Sequence, residues 1–221
     1  MLQDPRWTLL LWLVMAVLVQ AIPIIQWPFM LLESYFHELG HGLAALLTGG
    51  HFHRIELFVD GRGLATTAGG WRLLILFSGY FMAALSGTII YLAVSLPNPK
   101  QAPRLAWLLA IIVGLSVLLW MRDVTSWMIG GSLTLLFLLA VQWGKALFVQ
   151  AFLQFCGISV LVSAVQSPLY QLGQTGSDAA KLANLTFIPA IVWVLLWMAT
   201  ALWLLYQLWS WQGRQMHKAT D

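Results

Sequence analysis

Charged residues are scarce in this 221-residue sequence, where 9% of the residues are Asp, Glu, Lys or Arg and 60% are hydrophobic. About a quarter of the residues of a soluble domain are charged, so the composition excludes that class and indicates a polytopic membrane protein. The formal net charge is +3, and the basic residues are spread along the chain without the dense cluster that nucleic-acid binding needs. We therefore expect the lipid bilayer, and no nucleic acid, as a partner.

Cysteine is almost absent, since Cys156 is the only one. A single cysteine excludes a disulfide framework and a thiolate zinc cluster. Its place inside an apolar segment predicts a buried core residue. Tryptophan, in contrast, occurs 13 times. Many of these residues lie at the ends of hydrophobic runs, which is typical of the aromatic belts at membrane interfaces.

Long hydrophobic segments predict an all-α fold with about six to seven transmembrane helices. In chain order the segments are 7–25, 29–48, 71–96, 104–121, 124–143, 146–165 and 185–211. The sequence contains neither internal repeats nor a linker long enough to separate domains, so we expect residues 1–221 to form a single membrane-embedded domain. In the third segment, Gly79, Ala83 and Gly87 form one face of small residues, which predicts close packing against a neighbouring helix.

Between the second and third segments, the periodicity changes from helical to alternating. Residues 51–68 alternate apolar and polar side chains around Asp60-Gly61, a favourable hairpin turn. We predict a short β-hairpin at the membrane surface, because an open sheet edge is not tolerated in hydrocarbon. His51 and His53 on this hairpin can bind a metal together, but we interpret them as surface residues beyond reach of a site in mid-bilayer.

The second segment contains the pattern His-Glu-x-x-His at His37, Glu38 and His41. Two histidines four residues apart on a helix lie about 40° apart around its axis, so both imidazoles can bind one metal ion. Glu38 is then close enough to act as a general base on a metal-activated water. The alternative is a packed helix that merely carries histidines. Ionisable groups in mid-bilayer cost roughly 2.5–3.5 kcal/mol or more each, however, and a bound cation compensates for that cost.

Two histidines leave a metal ion short of protein ligands, so a further donor has to come from elsewhere in the chain. Glu33 lies one turn before His37, and we expect it to support a ligand or to face the surface. Asp123 is an open alternative, although Arg122 beside it offers a simpler partner. Asp178 lies in a glycine-rich polar segment that can dip between helices.

Several stretches resemble the B-type branch of site-2-protease-like membrane metallopeptidases. They are residues 36–42 around the motif, residues 44–50 after it, the β segment, Ser78-Gly79-Tyr80 and Ser177-Asp178-Ala179-Ala180. This resemblance extends over residues 29–197.

The resemblance implies a zinc-dependent peptidase that works within the bilayer. Carried over by position, its metal ligands are His37, His41 and Asp178, and Glu38 is its catalytic base. In this sequence, Ala179 follows Asp178 where the better-studied site-2 proteases have glycine. The alternative for Asp178 is a structural role, as the cap of the last helix.

We therefore expect a multi-pass protein of the bacterial cytoplasmic membrane that hydrolyses peptide bonds of a membrane-protein or transmembrane-peptide substrate. The edge of the hairpin is expected to hold the substrate in an extended conformation. Two alternatives are a membrane metal-ion carrier and a non-catalytic metal-binding membrane protein. Neither needs Glu38, and its presence favours the peptidase.

Overall fold

The computed structural model describes residues 5–95, 98 and 100–220. Within these residues the chain forms eight α-helices, one 3-10 helix and one hairpin, which confirms the predicted all-α fold. The elements are α1 (Pro5–Gln20), α2 (Pro23–Leu47), β1 (His51–Leu57), β2 (Gly63–Ala68), α3 (Arg72–Val94), α4 (Gln101–Trp120), α5 (Val124–Trp143), α6 (Ala146–Gln166), the 3-10 helix Ser167–Gln171, α7 (Asp178–Thr186) and α8 (Ala190–Thr220).

Five of the described helices are long and apolar enough to cross a membrane alone, namely α3, α4, α5, α6 and α8. The first two helices, α1 and α2, qualify only as a pair, and the chain bends by 110° between them. With 16 residues, α1 is about 24 Å long, which is shorter than the hydrocarbon core of about 30 Å. The described residues therefore contain five or six candidate spans. The separate span expected over residues 7–25 is wrong, because α1 qualifies only together with α2.

Glycines allow α3 to pack closely against two neighbouring helices. A Cβ built on Gly40 of α2 would lie 2.8 Å from the Ser78 carbonyl oxygen of α3, and one built on Gly87 would lie 2.6 Å from the Gly157 carbonyl oxygen of α6. Such spacing requires residues without side chains. The predicted small-residue face thus has two partners, because Gly79 faces α2 whereas Gly87 faces α6.

The hairpin formed by β1 and β2 is antiparallel, as predicted, and lies against the helices through one apolar face. Phe52, Ile55 and Leu57 are buried. A register shift between Phe52 and Arg54 puts two of these buried residues three positions apart, as a β-bulge does. His53 at the bulge is exposed.

The turn of the hairpin is fixed to the first half of α2. Trp27 Nε1 donates a hydrogen bond of 2.7 Å to the Val59 carbonyl, and the Ser34 hydroxyl donates to the Gly61 carbonyl. Gly61 has a φ of 85°, which favours glycine, and a Cβ there would lie 2.5 Å from the sulfur of Met30. These contacts hold the hairpin beside the helix that carries the His-Glu-x-x-His motif.

Candidate metal centre

His37 and His41 point to the same side of α2, and Asp178 at the start of α7 approaches them. The two Nε2 atoms are 3.0 Å apart, and each lies 3.1 Å from Asp178 Oδ2. All three side chains are buried. Their converging ligand atoms can hold a metal ion.

The donor set fits a divalent cation such as zinc. Tetrahedral bonds of 2.0–2.2 Å put ligand atoms about 3.3–3.6 Å apart, a few tenths of an ångström more than the observed 3.0 and 3.1 Å. His41 Nδ1 donates to the Ile75 carbonyl oxygen across 2.6 Å, so in the neutral imidazole Nε2 is the atom without a proton. Its lone pair then faces the carboxylate oxygen of Asp178. A cation between these two atoms removes the repulsion between them.

Gly79 of α3 leaves the space that the two imidazoles occupy. A Cβ on Gly79 would lie 2.6 Å from His37 Nε2 and 2.7 Å from His41 Cε1. The next residue, Tyr80, packs edge-on against the His37 ring with centroids 4.4 Å apart. The predicted packing of Gly79 beside the motif helix is therefore confirmed.

Glu38 is buried between the two histidines in sequence and lies against β2 in space. A Cβ on Gly63 would lie 2.6 Å from Glu38 Oε1, and the backbone amide of Ala65 is close enough to stabilise the Glu38 carboxylate. His37 and His41 are near enough to interact electrostatically with this carboxylate. The hairpin thus fixes the orientation of an acidic group beside the cluster.

A cavity of about 1120 Å³ opens onto the cluster and is large enough for more than a small ligand. Residues 63–67 of β2 form one wall. The segment 166–178, which leads into α7, forms another. His37, His41 and Glu38 line this cavity as well.

Asp123, the alternative third ligand, does not join this cluster. Its carboxylate accepts hydrogen bonds from Ser126 N at 2.9 Å and Ser126 Oγ at 2.6 Å, so it caps α5. Partial burial opposes ionisation of Asp123, but the hydrogen bonds from Ser126 prevail and hold its pKa below the ordinary value. The expected local pair with Arg122 is replaced by bonds from Arg122 to the carbonyls of Leu118 and Met121.

The cap of α7 is Ser177, whose hydroxyl accepts from Ala180 N at 3.3 Å. Asp178 is the first residue of the helix, and its side chain is free to face the histidines. The alternative role expected for Asp178, that of a helix cap, is therefore taken by Ser177. The helix it caps is the short α7, whereas the last span begins at Ala190, after Pro189.

The other candidates lie where their chemistry predicts or close to it. Cys156 is a buried free cysteine, as expected, and His51 and His53 are exposed on the hairpin. Glu33 is buried rather than at the surface, and it accepts a hydrogen bond of 3.0 Å from Ser167 Oγ.

Sequence reasoning missed the Ile75 carbonyl and Gln171. The carbonyl is present in every residue type, so no sequence pattern indicates it. Gln171 accepts a hydrogen bond from Ala179 N, in a segment without recognisable periodicity.

A family model described as Peptidase M50B-like matches residues 10–208. The matched range includes His37, Glu38, His41 and Asp178. No curated protein and no solved structure matches the chain.

Proposed function

Because the chain belongs to the Peptidase M50B-like family, whose members are intramembrane metalloproteases, we propose that it is a zinc endopeptidase acting on membrane-protein substrates. The membership confirms the resemblance to site-2-protease-like enzymes. One observation carries the proposal, namely an oriented glutamate, Glu38, beside buried donors that can hold a metal ion. We further propose that residues 1–221 form one domain in a bacterial cytoplasmic membrane.

His37, His41 and Asp178 would hold the ion. Two imidazoles and one carboxylate are a ligand set found in catalytic zinc sites, where three protein ligands leave one position open. When bound, zinc supplies a Lewis acid that polarises the carbonyl of the scissile peptide and lowers the pKa of water. The Ile75 carbonyl keeps the proton of His41 on Nδ1, so Nε2 keeps a lone pair that can bind the metal ion.

Glu38 acts as the general base. Its carboxylate takes the proton from the attacking water and returns it to the amine that leaves. Gly63 lies against this carboxylate and the amide of Ala65 stabilises its charge, so the carboxylate is restricted in position before the substrate arrives. A metal-ion carrier has no use for a glutamate held in this way, which supports the peptidase over that alternative.

The free edge of β2 is suited to bind an extended substrate. In this two-stranded sheet β2 has one partner, β1, and peptide groups along a strand point alternately to its two sides. The amide of Ala65 points to Glu38, so the peptide groups of Gly63, Ala65 and Thr67 face the cavity. A substrate strand paired with this edge would present its carbonyls beside Glu38. A helical substrate segment has to unwind here, because helix hydrogen bonds otherwise occupy those carbonyls.

The test compares membrane fractions from cells that produce the wild type or Glu38→Gln, with new peptide termini identified by mass spectrometry. Termini within or beside transmembrane segments should be present with the wild type and absent with Glu38→Gln. Glu56→Gln on the outer strand of the hairpin is the matched control and should cleave as the wild type does. Identical termini with the wild type and Glu38→Gln would contradict the proposal.

A further inference from the structure

The 3-10 helix Ser167–Gln171 contacts the three elements that form the candidate metal centre. At its start, Ser167 Oγ donates to Glu33 Oε1 of α2 at 3.0 Å. The Tyr80 hydroxyl of α3 donates to the Ser167 carbonyl at 3.4 Å. The first residue of this short helix is therefore tied to α2, which carries both histidines, and to the ring that packs on His37.

Gln171, at the end of the same 3-10 helix, holds the chain on both sides of Asp178. Its Oε1 accepts from the backbone N–H of Ala179 at 2.9 Å. Its own carbonyl accepts from the Ser177 hydroxyl at 3.2 Å. One glutamine thus contacts the residues before and after Asp178.

We propose that Gln171 is a positioning residue for the metal centre and acts through Asp178. This proposal rests on the proposed metal-binding role of His37, His41 and Asp178. The two histidines are fixed relative to each other by one turn of α2. Asp178 lies on a different helix, so its position relative to the histidines has to be set by other contacts. The 3-10 helix provides such contacts.

The segment that precedes Asp178 cannot fix its position alone. Residues 172–177 contain Gly173 and Gly176, both with positive φ, and α7 has only 9 residues. Glycine has the largest conformational freedom of any residue, so this loop defines the start of α7 weakly. The hydrogen bonds of Gln171 cross the loop and remove that freedom.

A second contact of Asp178 is weaker. Lys181 Nζ lies 3.8 Å from Asp178 Oδ1, and the lysine side chain is 39% exposed. A pair of this kind contributes little, because water screens it and ordering the long side chain costs entropy. Lys181 therefore adds little to the restraint that the Gln171 hydrogen bonds place on the start of α7.

The test measures zinc affinity of the purified full chain in detergent by competition with a chromophoric chelator. Gln171→Met keeps the size of the side chain and removes its amide, and Gln171→Ala removes both. Each should lower the affinity about 10- to 100-fold, the usual effect of losing a group that orients a ligand. The visible absorption spectrum of the Co²⁺-loaded protein should differ between the wild type and both variants, because the spectrum reports the ligand geometry directly.

Gln174→Ala is the matched control. Gln174 lines the same cavity in the same loop, and its side chain makes no hydrogen bond among the described residues. Zinc affinity and the Co²⁺ spectrum should equal those of the wild type. Wild-type affinity in Gln171→Met would overturn the proposal.

A double-mutant cycle separates positioning from a general effect on the fold. If Gln171 acts through Asp178, then Gln171→Met should have no further effect on affinity in an Asp178→Ala background. An equal loss in both backgrounds would also overturn the proposal. If Asp178→Ala and His37→Ala themselves leave zinc affinity unchanged, the proposed metal centre has failed instead, so the two failures are distinct.

Discussion

His41 Nδ1 and the Ile75 carbonyl oxygen are 2.6 Å apart, so a residue of α3 controls which nitrogen of a motif histidine faces Asp178. The adjacent turn of α3 brings Ser78 to the backbone of α2, where its hydroxyl donates to the Gly40 carbonyl at 3.0 Å. Close approach of the two helices at Gly40 makes both bonds possible. Packing between α2 and α3 thus determines the chemistry of the cluster.

Asp178→Asn should remove bound zinc with little change in the structure of α7. Asparagine keeps the shape of the side chain, but it replaces an anionic oxygen with a neutral amide, which is a much weaker zinc ligand. Ser177 remains as the cap. We expect near-complete loss of zinc by elemental analysis of purified protein, whereas retention of one zinc per chain would contradict the assignment.

Asp123→Ala should lower stability but leave zinc binding unchanged, the reverse of Asp178→Asn. The variant loses the N-cap of α5, which costs about 1 kcal/mol of stability. Its zinc content should equal that of the wild type, because Asp123 lies outside the cluster. Denaturant unfolding measures the first expectation and elemental analysis the second; a loss of zinc would return Asp123 to the list of ligands.

Gly79→Ala should weaken metal binding without altering a ligand. The new Cβ would overlap both imidazoles, since it lies 2.6 Å from His37 Nε2, and relief of the overlap has to move α3 or rotate the rings. Overpacking of this kind costs roughly 1–3 kcal/mol. We expect lower zinc affinity and a lower melting temperature.

The matched substitution for that test is Gly131→Ala in α5, where a Cβ meets no atom within 4 Å. Alanine is the better helix former, so this variant should be unchanged or slightly more stable. If Gly79→Ala and Gly131→Ala have the same zinc affinity and melting temperature, then the imidazoles do not depend on the absence of a side chain at Gly79.

Thr67→Pro should weaken substrate binding while zinc remains bound. Proline removes the backbone N–H, and the amide of Thr67 faces the cavity rather than β1 in our assignment of the free edge. Losing one hydrogen bond to a substrate strand lowers kcat/KM about tenfold. Thr66→Pro removes an amide that pairs with β1 and should instead destabilise the hairpin. Equal kinetics for Thr67→Pro and the wild type would exclude strand pairing at this edge.

The sequence was sufficient to predict His37, Glu38 and His41 as a cluster, because the helical repeat alone fixes their relative positions. It was not sufficient for α1 and α2. Pro23 and Pro28 both suit the start of a helix, and the motif helix begins at Pro23 and includes Pro28. Local pattern cannot decide between two such starts when packing of the whole segment determines the outcome.

The contacts that hold Asp178 were also beyond the sequence. Ser167 and Glu33 are 134 residues apart, and serine next to proline in a polar loop gives no indication of a distant partner. The resemblance to a family indicated Asp178 itself. It gave no information about Gln171, because the hydrogen bond that Gln171 accepts comes from a backbone amide, which every residue except proline has.

The separation of 141 residues between His37 and Asp178 has a consequence for biosynthesis. At about 5–20 residues per second, a ribosome needs roughly 7–28 seconds to make the chain from one to the other. During that interval the growing chain contains both histidines and Glu38 but not yet Asp178. The nascent protein therefore passes through the insertion machinery, among other unfolded membrane chains, before its peptidase centre is complete.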